Sequence, residues 1–322
     1  MHNRQNALNK WLEKTLGSSQ FSISPLTGDA SFRQYFRLHF NNVNQIIMDA
    51  PPNKESIQPF LAVAELLSQI GVRTPKIHAY DKEQGFAILD DFGDTLLLHK
   101  VNSENADSLY LAAIDTLCLM QNCQTTELPC FDKPFILQEL SIFKEWFLEA
   151  YLKIELNSEE EKLLSGTFDW LSNQILQQPQ VFIHRDYHSR NIMTEVNQEL
   201  GIIDFQDAMR GPISYDLVSL LKDCYVQWPR DYINSWINYF YNQNDLVREH
   251  YSQAAFITAF DYCGLQRHLK VLGVFSRLHL RDSKPNYLQD LPLTLQYVMA
   301  SLECHEELQD FYQFMQNRIC LP

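Results

Sequence analysis

The stretch FIHRDYHSRNIM, residues 182–193, places a dense polar turn between two apolar ends. The eight positions from His184 to Asn191 hold two histidines, two arginines, an aspartate and an asparagine. Thirteen positions after Asn191, Asp204 ends the apolar run GIID. Short apolar runs bounded by polar turns predict buried strands that carry a polar loop. We therefore expect the chemistry of this protein at residues 184–204.

The segments around this stretch predict an α+β fold with a small β-rich lobe and a larger, mainly helical lobe. Up to residue 92, alternating and aromatic-rich runs predict strands around one internal helix, and from about residue 105 apolar spacing at i, i+3 and i+4 predicts helices. We expect an N-terminal lobe at 1–92, a C-terminal lobe at 93–322, and a ligand site in the cleft between them. The predicted elements of the first lobe are a helix at 1–17, a hairpin over 21–40, a strand at 45–50, a helix at 59–71 and two strands over 76–93.

The composition argues against several classes of partner. Acidic residues outnumber basic ones by 40 to 26 among 322 residues, which gives a formal net charge of −14. Because binding to phosphate-rich surfaces needs a basic footprint, we expect no nucleic-acid and no membrane partner. The seven cysteines form no C-x-x-C pair, which is typical of free thiols in a reducing compartment. With no apolar run of membrane-spanning length and no signal peptide, the sequence predicts a cytoplasmic protein.

Asp186, Asn191 and Asp204 have the chemistry that phosphoryl transfer needs. This reaction requires a carboxylate that orients the attacking hydroxyl and accepts its proton. It also requires hard oxygen ligands that hold Mg²⁺ on the phosphates. An aspartate on the turn, an asparagine at its end and an aspartate after a later strand supply these functions if the intervening hairpin folds back. The alternative is that Asp186 and Asn191 only cap backbone groups of a turn.

HRDYHSRN at 184–191, followed by IIDFQD at 202–207, resembles the catalytic and metal-binding segments of the protein-kinase-like fold. It is most similar to the aminoglycoside phosphotransferase family, whose pattern is His-Gly-Asp-x-His-x-x-Asn and then Ile-Asp. The resemblance implies a bilobal protein-kinase-like fold, a small-molecule substrate, and ATP and Mg²⁺ as cofactors. It also implies that the N-terminal lobe binds the nucleotide and that the C-terminal lobe carries catalysis and substrate binding.

The same resemblance implies a role for each matching residue of the polar turn. Asp186 matches the catalytic base, and Asn191 and Asp204 match the two metal ligands at the cofactor. His188 lies where the family has a residue near the transferred phosphate, and it is the second candidate catalytic residue. These four residues form the predicted catalytic and metal-binding set.

Two further positions match structural parts of the family's loop. His184 would brace the loop, which is a structural role. Downstream, SYDLVSLL at 214–221 resembles the family's Tyr-Asp-Leu segment. The resemblance implies that Asp216 of this segment hydrogen-bonds the catalytic loop.

The predicted N-terminal lobe departs from the kinase pattern. Kinase-like folds place a lysine on the third strand, paired with a helix glutamate, but the third strand here carries Met48 at that position. The helix that follows offers Glu65, nearer its far end than the family's glutamate. Arg33 or Arg37 is the candidate replacement cation, since guanidinium binds phosphate well, and surface charge on a strand is the alternative for both. The residues that the resemblance assigns to the nucleotide in this lobe are Ser31, Arg33, Met48 and Asp91.

The segment 264–292 concentrates basic residues in an otherwise acidic chain. One interpretation is a pocket for a neutral or anionic substrate, and the other is a solvated helix face. A pocket for a polycationic aminoglycoside would instead need many carboxylates. The candidate substrate contacts are Gln206, Asp207, Lys222, Arg267, Lys270 and Arg277.

Several motifs together resemble one branch of the family, the cell-wall-recycling kinases of N-acetylmuramate and N-acetylglucosamine. These motifs include DASFRQYFR at 29–37, MDAPP at 48–52 and GLQRHLKVLGVFSRL at 264–278. The resemblance implies transfer of phosphate to the anomeric hydroxyl of the sugar. The alternatives are a kinase of an aminoglycoside or an amino alcohol, a protein kinase, and a pseudokinase that binds nucleotide without turnover. Against a protein kinase, the chain has no Ala-Pro-Glu segment.

Overall fold

The computed structural model of the protein describes residues 2–26, 33–194 and 199–319, with side chains from residue 4 onwards. The strands in chain order are β1 (Ser22–Leu26), β2 (Gln34–Phe40), β3 (Val43–Asp49), β4 (Ile77–Asp81), β5 (Phe86–Asp90), β6 (Gln180–Ile183), β7 (Ile192–Thr194), β8 (Leu200–Ile202) and β9 (Met209–Pro212). The α-helices are α1 (His2–Leu16), α2 (Gln58–Gln69), α3 (Leu97–Lys100), α4 (Ala106–Met120), α5 (Lys133–Ile142), α6 (Ser158–Leu176), α7 (Tyr215–Leu221), α8 (Arg230–Gln243), α9 (Asp245–His250), α10 (Gln253–Leu280), α11 (Leu291–Glu303) and α12 (Gln309–Arg318). Among the described residues, no helix is both long and apolar enough to cross a membrane.

The first compact unit comprises Met1–Leu96 and Ile192–Asp207. Its centre is an antiparallel sheet with the strand order β1-β2-β3-β5-β4. The pairing of β1 with β2 confirms the predicted hairpin, and its predicted turn lies outside the described residues. The strands of this unit and the helices of the second one confirm the predicted α+β class.

Helix α1 covers one face of this sheet. Its apolar residues Leu8, Trp11 and Leu12 recur at helical spacing, so they fall on one side of the helix and pack against the sheet. Trp11 contacts the ring of Phe86 with 5.5 Å between centroids. Ile47 of β3 belongs to the same cluster. Because successive strand residues face opposite sides, Met48 faces away from α1.

The hairpin of β7 and β8 belongs to the first unit, although the sequence placed it in the C-terminal lobe. The backbone nitrogen of Thr194 donates to the carbonyl oxygen of Thr95 (2.8 Å), and that of Ile202 donates to the carbonyl oxygen of Arg73 (2.9 Å). These bonds join the hairpin to the backbone between α2 and β4 and to the backbone after β5. The two compact units therefore differ from the expected division at residue 92 by this inserted segment and by residues 93–96.

The second unit comprises Leu97–Asn191 and Ala208–Pro322 and is mainly helical. Its longest helix, α10, packs against α5, α7 and α11. Helix α5 continues as a π-helical segment, Phe143–Tyr151, where the apolar spacing had predicted a regular α-helix. The short strands β6 and β9 pair antiparallel in the same unit, with Val181 opposite Gly211.

Gly273 marks a close approach of α10 to the chain of α5. A Cβ built on Gly273 would lie 2.4 Å from the carbonyl oxygen of Ile142 and 2.7 Å from the backbone nitrogen of Phe143. Both atoms belong to the backbone where α5 passes into the π-helical segment, so neither can move aside as a side chain would. The missing side chain at Gly273 therefore allows the observed spacing between these two elements.

We expect Gly273→Ala to lower the free energy of unfolding by about 2 to 3 kcal/mol, because overpacking a tight contact typically costs that much. The matched control is Gly166→Ala in α6. An added Cβ there meets nothing within 4 Å, and alanine favours a helix over glycine by up to about 1 kcal/mol. Urea unfolding measures both changes. A Gly273→Ala protein as stable as the wild type would contradict the close packing.

Candidate active site

The polar turn after β6 is held in place by a buried carboxylate of α7. Both carboxylate oxygens of Asp216 accept backbone N–H groups, from His184 (2.6 Å) and from Arg185 (3.0 Å). Arg185 adopts a left-handed backbone conformation with φ 77°, which is costly for a residue with a Cβ. The family pattern has glycine at this position. The predicted bond between Asp216 and the catalytic loop is confirmed, and burial raises the pKa of Asp216 to about 6.

Asp186 follows Arg185 on this turn and is partly exposed. Its backbone nitrogen donates to Nδ1 of His184 (3.3 Å), and its carbonyl oxygen accepts Nδ2 of Asn191 (3.0 Å). Its carboxylate has no hydrogen-bond or ion-pair partner among the residues that the structure describes. Burial raises the pKa of this carboxyl, but nearby cationic side chains, Lys270 foremost and also Arg185 and Arg267, outweigh burial and lower the pKa to about 2. The Asp186 carboxylate is therefore ionised at neutral pH and makes no hydrogen bond or ion pair to the described residues.

His188 lies on the same turn with its ring edge-on to Tyr225, at 5.4 Å between centroids. Its Nδ1 atom is buried and has no hydrogen-bond partner in the described part of the chain. Burial lowers the pKa of His188, so the imidazole is neutral at neutral pH. A neutral ring with an unpartnered nitrogen is suited to a hydrogen bond with a ligand.

In the first unit, Asp204 follows β8 and presents an exposed carboxylate. Its backbone is left-handed (φ 63°), a conformation that aspartate tolerates better than most residues. Phe205 anchors it by stacking on Phe60 of α2 with 4.9 Å between centroids. Nε2 of Gln206 donates to Oδ1 of Asp204 (2.9 Å). Strained backbone fixed by its surroundings is a recurrent feature of functional sites.

The residues at these positions fit a magnesium ion better than a transition metal. The described residues contain no group of three His, Cys, Asp or Glu side chains that could hold a metal by themselves. Mg²⁺ needs no such group, because it commonly binds one or two carboxylates and completes its shell with phosphate oxygens and water. An exposed aspartate such as Asp204 has the required chemistry, and so has the amide oxygen of an asparagine such as Asn191.

A partly buried ion pair joins Arg33 and Glu55 in the first unit. Arg33 precedes β2, is almost fully buried and pairs with Glu55, which lies shortly before α2. Tyr35 of β2 is paired in register with Met48, and burial raises its pKa. The charges of Arg33, Asp204 and Glu55 all act on Tyr35, so these groups share one neighbourhood. Glu65, which the sequence offered as the helix glutamate, is exposed.

Arg37 and Asp91, two candidates for nucleotide binding, form an ion pair with each other. Nε of Arg37 lies 2.6 Å from Oδ2 of Asp91, and its Nη2 lies 3.1 Å from Oδ1. Asp94 adds a second carboxylate at 2.8 Å, and together the two carboxylates raise the pKa of Arg37. Of the two candidate arginines, Arg37 is thus shared between two carboxylates near the surface and Arg33 is the buried one. Ser31 lies outside the described residues.

The six candidate substrate contacts come from both compact units. Gln206 and Asp207 lie beside Asp204 in the first unit, and Nε2 of Gln206 is 3.3 Å from Oδ2 of Asp207. In the second unit, Lys222 pairs with Asp261 at 2.8 Å. The other three lie along α10, where the ten steps from the first to the last span about 15 Å. These three are Arg267, Lys270 and Arg277. Lys270 and Arg267 both help to lower the pKa of the Asp186 carboxyl, and the assignment of the basic segment to substrate binding stays a prediction.

His268 contributes no positive charge to α10 at neutral pH. The side chain is fully buried, its ring stacks on Tyr297 at 5.1 Å, and its Nε2 lies 2.9 Å from the carbonyl oxygen of Lys222. Burial, together with the positive charge of Arg267, lowers the pKa of His268 from 6.5 to about 3. The folded protein therefore keeps this imidazole neutral well into the acidic range.

This neutral histidine predicts a specific loss of stability in acid. As the pH falls below 6.5, His268 becomes protonated in the unfolded state, whereas in the folded state it is not protonated until about pH 3. The contribution of neutral His268 to the free energy of unfolding is thus fully present above pH 6.5 and is lost as the pH falls towards 3. Between pH 6.5 and 4.5 we expect the wild type to lose about 2 to 3 kcal/mol more unfolding free energy than His268→Gln. Urea unfolding at both pH values measures the difference, and equal losses would show that folded His268 is protonated.

Sequence reasoning missed Glu139 of α5, which is buried. Oε1 of Glu139 lies 3.1 Å from Nη2 of Arg185 and 3.4 Å from Nζ of Lys270. A signal was present in the sequence, because Glu139 interrupts the apolar helical stripe of Ile136, Leu140 and Phe143. A charged residue at such a position is rarely buried unless it is paired.

Residues 22–257 of the chain match the sequence model of the protein family described as "Phosphotransferase enzyme family". The N-acetylmuramate/N-acetylglucosamine kinase of Pseudomonas aeruginosa is 38% identical, over 91% of this chain and 87% of that protein. The protein of the same name from Neisseria meningitidis serogroup B is 35% identical, over 97% of this chain and 95% of that protein.

The fold is similar to that of a solved structure. Choline kinase LicA from Streptococcus pneumoniae superposes with a TM-score of 0.66, covering 92% of this chain and 99% of that one. The sequences are 12% identical, so this likeness concerns the fold alone. The predicted protein-kinase-like fold is confirmed.

Proposed function

Because the chain belongs to the phosphotransferase enzyme family, we propose that it is an ATP- and Mg²⁺-dependent kinase that phosphorylates the anomeric hydroxyl of N-acetylmuramate and N-acetylglucosamine. The names of the relatives from Pseudomonas aeruginosa and Neisseria meningitidis support this substrate class. The family pattern is matched at Asp186, Asn191 and Asp204. The reaction belongs in the cytoplasm, where ATP is available, and serves the recycling of cell-wall sugars.

The observation that carries this proposal is the ionised and unengaged carboxylate of Asp186. Phosphoryl transfer needs an acceptor that orients the attacking hydroxyl and takes its proton as the bond to phosphorus forms. A carboxylate already committed to an ion pair is poorly suited to this task, and Asp186 has none among the described residues. Its low pKa makes it a weak base, but an anomeric hydroxyl is more acidic than an ordinary alcohol, which lowers the demand on that base.

Asp204 and Asn191 are the proposed magnesium ligands. When bound, the ion would neutralise negative charge on the phosphate oxygens and stabilise the charge that develops during transfer. Both residues offer hard oxygen donors, and the exposed carboxylate of Asp204 is accessible to an ion that keeps several waters. Asn191 is also tied to the base, because its amide nitrogen donates to the Asp186 carbonyl oxygen.

The pair of Arg33 and Glu55 is the proposed replacement for the lysine–glutamate pair of kinase-like folds. Arg33 is buried, is oriented by one carboxylate and shares its neighbourhood with Tyr35 and Asp204. A guanidinium held in this way offers several donors to phosphate oxygens. Met48, opposite Tyr35 in the register, is fully buried and apolar, so it is not the source of the cation for the nucleotide.

The test of the proposed function is a panel of acceptors with MgATP. N-acetylmuramate, N-acetylglucosamine, choline and kanamycin are each incubated with the purified protein, and ADP release is measured. We expect turnover with the two sugars only. Turnover with choline or kanamycin alone would keep the kinase and overturn the substrate class. Nucleotide binding without turnover of any acceptor would support a pseudokinase instead.

A further inference from the structure

We infer that Glu139 is a positioning residue that binds Lys270 and Arg185 and so keeps the Asp186 carboxylate open to the substrate. This inference rests on the proposed function, because it assigns Asp186 the role of the base. Neither the family pattern nor the composition pointed to Glu139. The inference comes from the contacts of α5, α10 and the polar turn, all of which lie in the second unit.

The carboxylate of Glu139 is satisfied on both oxygens. Oε1 is shared by Nη2 of Arg185 (3.1 Å) and Nζ of Lys270 (3.4 Å), and Oε2 accepts Nε2 of Gln266 (2.9 Å). The Glu139 side chain is only 6% exposed. A buried carboxylate is stable only when it is paired and hydrogen-bonded in this way.

The contacts of Arg185 show how α5 holds the residue next to the base. Its guanidinium lies over the ring of Phe135, 5.0 Å from the centroid, and reaches Glu139 one helical turn later. The Arg185 side chain is thus held on α5 while its backbone nitrogen donates to Asp216. Glycine would adopt this left-handed conformation without cost. The bonds made by Arg185 offset the cost of the conformation for a residue with a Cβ, which explains why arginine is tolerated at this position.

Lys270 is placed by the close packing of α10. Gly273 lies against Ile142. Lys270 lies one helical turn before Gly273, and Glu139 lies one helical turn before Ile142. The tight contact at Gly273 therefore keeps the lysine in reach of the glutamate. Lys270 is also the cation that acts most strongly on the carboxylate of Asp186.

Glu139 thus competes with Asp186 for the same two cations. An ammonium group in a poorly solvated site is drawn to a nearby carboxylate, because an unpaired charge there is costly. Lys270 and Arg185 both pair with Glu139, and the described residues leave Asp186 without an ion pair. Without the charge of Glu139, the ammonium of Lys270 would move towards Asp186 and occupy the oxygens that must accept the sugar hydroxyl.

Gln266 makes a conservative test possible. Its Oε1 atom is buried and has no hydrogen-bond partner in the described part of the chain. In Glu139→Gln the new amide can donate to that oxygen, so the contact between α5 and α10 survives while the negative charge disappears. We therefore expect Glu139→Gln to fold and to melt within a few degrees of the wild type.

The experiment compares Glu139→Gln, Lys270→Met and the double variant, using the acceptor that the wild type phosphorylates. We expect Glu139→Gln to lower kcat by about 30-fold with little change in the KM of the sugar, a size typical of coupling between neighbouring charges. Removing Lys270 as well deletes the cation that would form an ion pair with Asp186. The double variant should therefore have a higher kcat than Glu139→Gln alone.

The outcomes separate the inference from the proposed function. Glu149→Gln is the matched control, because Glu149 is a surface glutamate of the π-helical segment and its loss should leave kcat unchanged. A double variant slower than Glu139→Gln, or a Glu139→Gln protein as fast as the wild type, would overturn the role of Glu139 and leave the kinase assignment intact. A wild type that turns over no acceptor would overturn the proposed function, and the inference with it.

Discussion

Replacing Asp186 with asparagine should lower kcat by about three orders of magnitude and leave the protein folded. General-base catalysis typically contributes about 10²- to 10⁴-fold, and an amide cannot take up the proton of the attacking hydroxyl. The fold should survive because the Asp186 carboxylate has no bond to lose within the described part of the chain. Its backbone bonds to His184 and Asn191 do not depend on the side chain.

The measurement is kcat and KM for the sugar, with circular dichroism to check folding. Asp231→Asn on the exposed first turn of α8 makes the same chemical change away from the turn and should behave as the wild type. A loss confined to kcat would support a role in the chemical step. Turnover of Asp186→Asn within tenfold of the wild type would contradict the assignment of the base.

Asp204→Asn has the second largest expected effect, a loss of activity of about 10²- to 10³-fold at ordinary magnesium concentrations. A metal ligand of this kind supplies several kcal/mol of charge stabilisation in the transition state, and a neutral amide holds Mg²⁺ less well than a carboxylate. Asparagine is the suitable replacement because it also tolerates the left-handed backbone of Asp204. The variant should therefore fold and keep the stacking of Phe205 on Phe60.

The dependence of the rate on magnesium concentration measures this effect. Asp204→Asn should need far more Mg²⁺ for half-maximal rate, whereas the control Glu199→Gln, an exposed charge of the same hairpin, should follow the wild-type curve. If the magnesium dependence of Asp204→Asn matched that of the wild type, Asp204 would not be a metal ligand.

Local patterns predicted the elements but not the contacts between distant segments. The periodicity of Leu8, Trp11 and Leu12 was enough to predict α1, and alternation was enough to predict the hairpin of β1 and β2, because these patterns depend on neighbouring residues. The attachment of the β7–β8 hairpin to the first unit could not be predicted in this way. It depends on backbone bonds to Thr95 and Arg73, which lie about 100 and about 130 residues away from their partners in the chain.

The candidate site shows the same limit. Asp186, Asn191 and Asp204 were found because their spacing matches a motif. Glu55 was missed because it precedes α2, outside the helix in which a glutamate was expected. Glu139 was missed because its partners, Arg185 and Lys270, come from two other segments of the chain. Pairing of buried charges is set by tertiary packing, and a sequence reveals only that a charge interrupts an apolar stripe.

The central claim is that the protein transfers phosphate from ATP to the anomeric hydroxyl of an N-acetylated sugar. The most direct test is ³¹P NMR of the product formed from N-acetylmuramate and MgATP by the purified wild type. We predict a sugar phosphate signal that is coupled to the anomeric proton and is missing from the Asp186→Asn reaction. A phosphate attached to another hydroxyl of the sugar, or no sugar phosphate at all, would contradict the account.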